Sequence, residues 1–523
     1  MTTLTDAVGR HATASPDKPA WIFEGVTTTF AEFNSSTNRI AAALAAAGIG
    51  PGDRIAYLGR NTAAFFELLY GAMKAGVVTV PINWRLAPPE VVAIIANSQA
   101  RLLVVGREYA SDPAYASLQG VAITLAAEPG HPSLPTLANW SDSYPDAPPA
   151  YVASSADIAV QLYTSGTTGL PKGVMLPHSS IASGLAAALT HDLGWNQWSA
   201  ADTALLAMPV SHVSGTGWGM IALHHGATCH IQRQFDLDAT FDTFANHRIT
   251  RLFLVPAALQ MLVRHPRARA ADFSALHEVC YGASPMPLPL LRECMDVMKT
   301  PFVQFYGMTE TAGTIVALSA QDHQAALDAP DAAHRLRAAG RALPWVTIRA
   351  INPNGMDATV GTVGELVTRS HANMAGYWNR PQDTARTIDT EGWLHTGDAG
   401  YIDADGYIFI HDRVKDMIIT GGENVYPAEV ESALCEHPAI AEAAVIGVPD
   451  ERWGETVRAF VVLRPDALLT PEDLIAWCRT RIAGFKSPSA AEFVDSLPRN
   501  ASGKLLKRAL REKYWKDKDR QVS

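Results

Sequence analysis

Residues 163–174 read Tyr163-Thr164-Ser165-Gly166-Thr167-Thr168-Gly169-Leu170-Pro171-Lys172-Gly173-Val174, and no other stretch constrains the fold as strongly. The residues before it, 156–162, crowd apolar side chains in the manner of a strand, and Val174-Met175-Leu176 is a second short apolar run. The stretch is therefore expected to be a loop between two strands. Glycine lets a backbone approach a bulky anion, and successive N–H groups in such a turn form an anion-binding nest. Hydroxyls add donors and Lys172 adds a point charge. Thr164, Ser165, Gly166, Thr167, Thr168, Gly169 and Lys172 are accordingly the candidates for wrapping a triphosphate. The spacing is not that of a Walker A loop, where Gly-Lys is followed at once by Ser or Thr opening a helix. Here Leu170-Pro171 separates Gly169 from Lys172. A plain Ser/Thr/Gly linker would need neither a lysine nor two flanking apolar strands.

The chain has 523 residues, 48% hydrophobic and 18% charged, the composition of an ordinary globular protein. Such a length suggests about two to four domains. A formal charge of −10 argues against a nucleic-acid partner and requires any anionic ligand to be met by locally placed Lys and Arg. Cys229, Cys280, Cys294, Cys435 and Cys478 include no Cys-x-x-Cys pair and are expected to be reduced thiols of a cytoplasmic protein, with no zinc site. The first residues predict no signal peptide, and no apolar run approaches the roughly 18 residues of a spanning helix. Peripheral membrane contact and a homodimer are left open.

Upstream of the loop, residues 29–47, 63–75 and 89–97 carry helical patterns, and 54–58, 77–81 and 102–105 are short strand-like runs. That alternation predicts a parallel α/β sheet. Residues 110–150 lack periodicity and are expected to be irregular. Downstream, helices are expected over 179–189 and 257–262, and strands over 205–209, 251–256, 279–281, 302–306, 361–368 and 407–411. Beyond about 415 the pattern is that of a compact α+β unit, with helices over 428–435 and 471–482 and strands over 441–447 and 457–463.

Several short motifs lie on these elements. His212 ends a strand, and Gly215, Gly217 and Gly219 surround Trp218; small residues there leave room either for close helix packing or for an acyl chain. Gly282-Ala283-Ser284 is a small-residue turn after a strand. In Tyr306-Gly307-Met308-Thr309-Glu310, the Glu310 carboxylate is suited to holding Mg²⁺ on phosphates. Asp398, in Gly392-Trp393-Leu394-His395-Thr396-Gly397-Asp398, is either a turn former or an acceptor for a pair of ribose hydroxyls, and Arg413 can serve the same ribose from across a hairpin. Gly421-Gly422 reads as a hairpin turn or as a loop that exposes its backbone to a ligand arm. Lys504 follows a flexible Asn-Ala-Ser-Gly turn and can reach.

Taken in order, these motifs resemble the adenylate-forming superfamily, whose members include acyl-CoA synthetases, peptide-synthetase adenylation domains and firefly luciferase. The resemblance spans positions 163–508 and is strongest for the fatty-acid–CoA ligase branch, through Asp412-Arg413-Val414-Lys415-Asp416-Met417-Ile418-Ile419 and Gly422-Glu423-Asn424-Val425-Tyr426-Pro427. Where the family usually has Gly-Arg, this chain has Asp412-Arg413. The resemblance implies an α/β plus α+β fold: a large N-terminal domain of β-sheets flanked by helices (1–414) and a small mobile C-terminal domain (415–523). It implies that Gly282, Ala283, Ser284, Tyr306 and Gly307 line the adenine, and that Thr309 serves the α-phosphate. It assigns Glu310 to Mg²⁺ and Asp398 and Arg413 to the ribose. It places His212, Gly215, Trp218, Gly219 and Met308 at the acyl pocket, makes Lys415 the hinge, and gives Gly421, Gly422 and Glu423 to coenzyme A. Lys504 would bridge the substrate carboxylate and the α-phosphate. The implied catalytic set is Lys504, Glu310, Thr309, Lys172 and His212. The implied activity is ATP- and Mg²⁺-dependent conversion of a carboxylic acid, of medium or long chain, to its acyl-CoA through acyl-AMP. A CoA ligase for an aromatic or cyclic acid, and an acyl-AMP ligase that loads a carrier protein, are the alternatives.

Overall fold

The computed structural model describes residues 3–109, 111–112, 115, 118–131, 133–164, 171–187, 190–413, 416–421, 423–499 and 505–516, with backbone alone at 330, 412, 413 and 424. Two large sheets make up its bulk. One has seven strands, in the spatial order Gly376–Tyr377, Lys172–Pro177, Ile158–Thr164, Val78–Ile82, Arg54–Leu58, Ala100–Val105 and Ile123–Ala126. Its inner strands are parallel, as the alternation predicts, because helices Ala63–Lys74 and Pro88–Ser98 carry the chain back between them. The other sheet has nine strands, in the order Arg341–Ala342, Gly313–Leu318, Phe302–Met308, Glu278–Gly282, Arg251–Leu254, Thr203–Leu206, Thr228–Ile231, Pro19–Phe23 and Val26–Thr29.

Helices Phe30–Ala46 and Ala63–Lys74 join the two sheets into one core. The first begins where Thr29 accepts from the Glu32 N–H and Glu32 accepts from the Thr29 N–H, a reciprocal cap, and it buries Phe30, Phe33, Ile40 and Leu44. Trp21 from the nine-stranded sheet stacks on Phe66 at 4.5 Å, and Tyr57 from the seven-stranded sheet packs against Phe65 at 5.0 Å. A separate antiparallel sheet of four strands, Thr347–Ile351, Gly364–Arg369, Leu394–Ile402 and Ile408–Arg413, follows. The last sheet, built from Ile418–Thr420, Glu423–Val425, Ile440–Asp450, Gly454–Leu463 and Ala490–Phe493, has apolar clusters of its own around Val430, Val445, Leu474 and Phe460. The chain thus forms a large α/β body and a smaller α+β body, as expected.

Residues 110–150 depart from the expectation. Ile123–Ala126 is a strand parallel to Ala100–Val105, and Leu137–Ser141 is a short helix capped by Thr136. Both are too short to show a period, and the strand gains its pairing only from a neighbour already in place. Strand Ala490–Phe493, parallel to Gly454–Leu463, is likewise too short to show a period.

Burial holds the imidazoles of His178, His212, His224, His225 and His230 down to about 4, against an ordinary 6.5. A group whose folded pKa is depressed in this way costs nothing above pH 6.5. Below it the unfolded chain takes up protons that the fold refuses, so stability should fall as pH drops from 6.5 toward 4. The urea midpoint, followed between pH 7.5 and 4.5, should decline through that window; a flat midpoint would contradict it.

Candidate active site

The phosphate corner is built on a hairpin. Strands Ile158–Thr164 and Lys172–Pro177 pair antiparallel with Thr164 opposite Lys172, so these two residues stand at the base of the connection. Ser165, Gly166, Thr167, Thr168 and Gly169 lie outside the described residues. A polar chain fixes the base. The Tyr163 hydroxyl donates to Asn97 Oδ1 at 2.6 Å and accepts from Gln161 Nε2 at 3.2 Å. Arg54 donates to Gln161 Oε1 and lies 3.2 Å over the Trp378 ring, while the Trp378 N–H donates to Gly173 O.

Lys172 Nζ is 3.0 Å from Asp383 Oδ1 and 5.0 Å from the centre of the Tyr377 ring. The Tyr377 hydroxyl donates to Glu310 Oε1 at 2.8 Å. Burial, and then the Glu310 charge, push the Tyr377 phenol far up, so it stays protonated and can donate. Glu310 itself is buried, and its carbonyl accepts from the Met374 N–H at 2.8 Å. Tyr377 therefore lies between the lysine and the Glu310 carboxylate while Asp383 pairs with the lysine, and sequence reasoning missed both. Gly376-Tyr377-Trp378-Asn379-Arg380-Pro381, a Gly-aromatic run into a Pro-started helix, was the signal available. Among the described residues no three His, Cys, Asp or Glu side chains form a metal cage. One buried carboxylate with a single oxygen held by Tyr377 fits Mg²⁺, which takes few protein ligands and completes its shell with phosphates and water.

The candidate nucleoside corner adjoins it, on the strand that leads into the turn carrying Glu310. Tyr306, near the end of Phe302–Met308, donates its hydroxyl to Asp398 Oδ2 at 2.6 Å, and Asp398 is buried. The Asp398 N–H is held by Thr396 Oγ1 at 3.0 Å. Asp398 lies opposite Arg413 in the pairing of Leu394–Ile402 with Ile408–Arg413, which places the two residues on facing strands. Gly282 pairs with Phe305, and Ala283, at φ +68°, turns the chain outward toward the half-buried Ser284. Gly307 admits no side chain, because a Cβ there would lie 1.8 Å from Gly313 O. Met308 then caps the single 3₁₀ turn Thr309–Thr311, with the Thr311 hydroxyl donating to Gly313 O. Asp398→Ala should weaken ATP and acyl-AMP together, since both carry one ribose. Loss of a charge-assisted hydrogen bond costs about 1.5–3 kcal/mol, so KM for ATP should rise about tenfold or more. Unchanged ATP KM and turnover would remove Asp398 from the site.

On the acyl side, His212 caps helix Val213–His225. A Cβ on Gly313 would meet Val213 Cγ2 at 3.7 Å, so the first turn of this helix lies against the turn carrying Thr309 and Glu310. Burial keeps His212 neutral, and its Nε2 and the Ser211 hydroxyl are buried without a partner. Two of the helix glycines serve packing, whereas a Cβ on Gly217 would meet only Val213 Cγ2 at 3.9 Å. A Cβ on Gly215 would lie 2.2 Å from Pro209 O, and one on Gly219 2.4 Å from the Phe66 ring, so neither leaves room for an acyl chain. Trp218 is buried, edge-on to Trp198 at 4.9 Å and 5.9 Å from Phe253.

In the smaller body, Thr420 pairs with Glu423, so Gly421 opens a two-residue hairpin turn. Gly421 has φ +59° and donates its N–H to Trp453 O, beneath the Trp453 ring. Lys415, Gly422 and Lys504 lie outside the described residues, as does the side chain of Arg413.

A family model described as AMP-binding enzyme matches residues 8–378, and one described as AMP-binding enzyme C-terminal domain matches residues 429–504. The chain belongs to the AMP-binding enzyme family. Within this adenylate-forming superfamily it falls in the acyl-CoA synthetase branch, as an AMP-forming acid–thiol ligase that uses ATP and Mg²⁺. It is similar to a fatty acid–[acyl-carrier-protein] ligase, ScoC, of Streptomyces coeruleorubidus, at 41% identity over 100% of this chain and 98% of the relative. It is also similar to a feruloyl-CoA synthase of Amycolatopsis sp, at 38% identity over 97% and 98%. Among solved structures it matches the o-succinylbenzoate CoA synthetase MenE of Bacillus subtilis in complex with the acyl-adenylate intermediate OSB-AMP. That match has a TM-score of 0.84 and 31% identity, and covers 98% of each chain. No helix among the described residues of this AMP-binding enzyme is long and apolar enough to cross a membrane.

Proposed function

We propose that the enzyme activates a medium- or long-chain fatty acid as acyl-AMP with release of pyrophosphate, then transfers the acyl group to coenzyme A. The observation that carries this reading is the junction at the end of Phe302–Met308. Tyr306 meets Asp398 there, and four residues on Glu310 is joined through Tyr377 to the neighbourhood of Lys172. A nucleoside and its phosphates would span these two corners. The fatty acid is suggested by the ScoC relative, and coenzyme A by the feruloyl-CoA synthase and MenE.

In the first half-reaction a carboxylate oxygen forms a bond to the α-phosphorus, and the bond from that phosphorus to the bridging oxygen of pyrophosphate breaks. Lys172, Thr309 and Lys504 spread the charge that develops. Bound Mg²⁺, held by Glu310, would neutralise phosphate charge. In the second half-reaction a thiolate attacks the acyl carbonyl and AMP departs. His212, half-buried and neutral, borders the acyl group as an uncharged imidazole. The reading includes a boundary at 414/415, with the smaller body turning about Lys415, and a cytoplasmic location, in keeping with five free cysteines.

Pyrophosphate release over a panel of carboxylic acids, with ATP and Mg²⁺, tests the acid. Each methylene buried should favour binding by about 0.8 kcal/mol until the pocket ends, so medium or long chains should exceed acetate in kcat/KM by orders of magnitude. Acetate or an amino acid as the best substrate would overturn the assignment. A second reading for the acceptor, the pantetheine thiol of a carrier protein, follows from the 41% relative. Acylation of free coenzyme A, compared with that of a holo-carrier protein, decides between them.

A further inference from the structure

We infer that Asn61 is a positioning residue for the acid: it holds the turn that presents Ser211 and His212. This rests on the reading that His212 borders the reacting carboxylate. Asn61 lies after strand Arg54–Leu58 of the seven-stranded sheet, and the turn it holds, 207–212, follows strand Thr203–Leu206 of the other sheet. Its carboxamide uses its full reach there. Nδ2 donates to Met208 O and to Gln232 O, both at 3.0 Å, and Oδ1 accepts from the Val210 N–H at 2.9 Å. Its own N–H donates to Arg233 O at 3.0 Å. Asn61 is only 1% exposed, so water offers no substitute for these bonds.

The far side of the turn is held as tightly. The Thr216 hydroxyl donates to Val210 O, the Gly215 and Thr216 N–H groups donate to His212 O, and the His212 N–H donates to Pro209 O. Gly215 closes against Pro209 O, where no Cβ fits. Ser211 Oγ and His212 Nε2 thus emerge from a turn clamped on both sides, and both atoms are buried without a protein partner. Buried polar atoms left unpaired on a rigid support are what a polar substrate group would complete. The hydrogen-bond partners of Asn61 are Met208, Val210, Gln232 and Arg233, so its effect should be confined to the acid.

Asn61→Asp keeps the shape but sets a carboxylate oxygen against two carbonyls in place of the amide donor. A misplacement near 1 Å can cost about 100-fold, so kcat/KM for the acid should fall about 10- to 100-fold. KM for ATP should stay within about threefold, because uniform nucleotide binding is untouched. The His212 imidazole, followed by NMR, should titrate above its buried value of about 4 as the turn opens. If Asn61→Asp does not fold, Thr216→Val, which releases Val210 O from the other side, should show the same split more weakly. Equal losses toward acid and ATP, or unchanged kcat/KM for the acid in a folded variant, would overturn the inference. His212→Ala run in parallel separates the causes. If it leaves use of the acid unchanged, the reading of His212 fails; if it impairs that use and Asn61→Asp does not, only the role of Asn61 fails.

Discussion

Glu310→Gln should release pyrophosphate at least about 100-fold more slowly than the native enzyme at saturating acid and ATP, with its melting temperature nearly unchanged. Removing one group aimed at developing charge in a buried site commonly costs about 100- to 1,000-fold. Glu310 is 6% exposed, and its Oε1 already accepts the Tyr377 hydroxyl. A glutamine carbonyl can accept the same bond, so the fold keeps its contact and only the charge disappears. The missing charge is the one that Mg²⁺ would meet, so raising Mg²⁺ should restore part of the rate. Stopped assays of pyrophosphate across an Mg²⁺ series check this. A near-native rate at ordinary Mg²⁺ would take Glu310 out of the chemistry and leave it a structural partner of Tyr377.

The second large effect separates the half-reactions. Lys504→Ala should make acyl-AMP about 100-fold or more slowly, yet convert supplied acyl-AMP and coenzyme A to thioester at a near-native rate. Gly422→Leu should do the reverse, releasing pyrophosphate and accumulating acyl-AMP. Both residues belong to the part of the chain beyond 415. Arg499 and Leu505, which flank Lys504, are bridged, and Thr420 and Glu423, which flank Gly422, are paired. Two structured supports on one small body can therefore present different groups to the site in turn. A leucine at 422 adds a branched side chain next to Gly421 in the chain and should block the approach of a pantetheine arm. Mass spectrometry of the thioester formed from synthetic acyl-AMP gives the comparison. Equal damage to both half-reactions in each variant would contradict alternation.

The parts of this architecture written in local sequence could be read early. The parallel strands around 54–105 follow from helical runs between apolar pentads, and the placement of Thr164 against Lys172 follows from two apolar runs flanking a Gly-rich loop. The contact of Tyr306 with Asp398 joins positions 92 residues apart, and its two ends were named from separate motifs. Residues whose meaning lies in distant partners were hidden. Asp383 looks like an acidic first turn after Pro381 until Lys172 arrives beside it. Tyr377 looks like a strand aromatic until Glu310 accepts its hydroxyl. Asn61 looks like a loop asparagine until three backbone groups from the other sheet converge on it. The glycines of 215–219 permitted two readings; Pro209 and Phe66 give packing to Gly215 and Gly219, while Gly217 stays open.

A carboxylate joined to the α-phosphate of ATP at this site leaves its oxygen on AMP. A fatty acid carrying ¹⁸O in both carboxylate oxygens, turned over with ATP, Mg²⁺ and coenzyme A, tests it directly. The oxygen that attacks phosphorus stays with AMP when the thiolate displaces it. AMP should carry one ¹⁸O, pyrophosphate none, and the thioester should retain the other. Unlabelled AMP, ¹⁸O in pyrophosphate, or ADP and phosphate as products would contradict it.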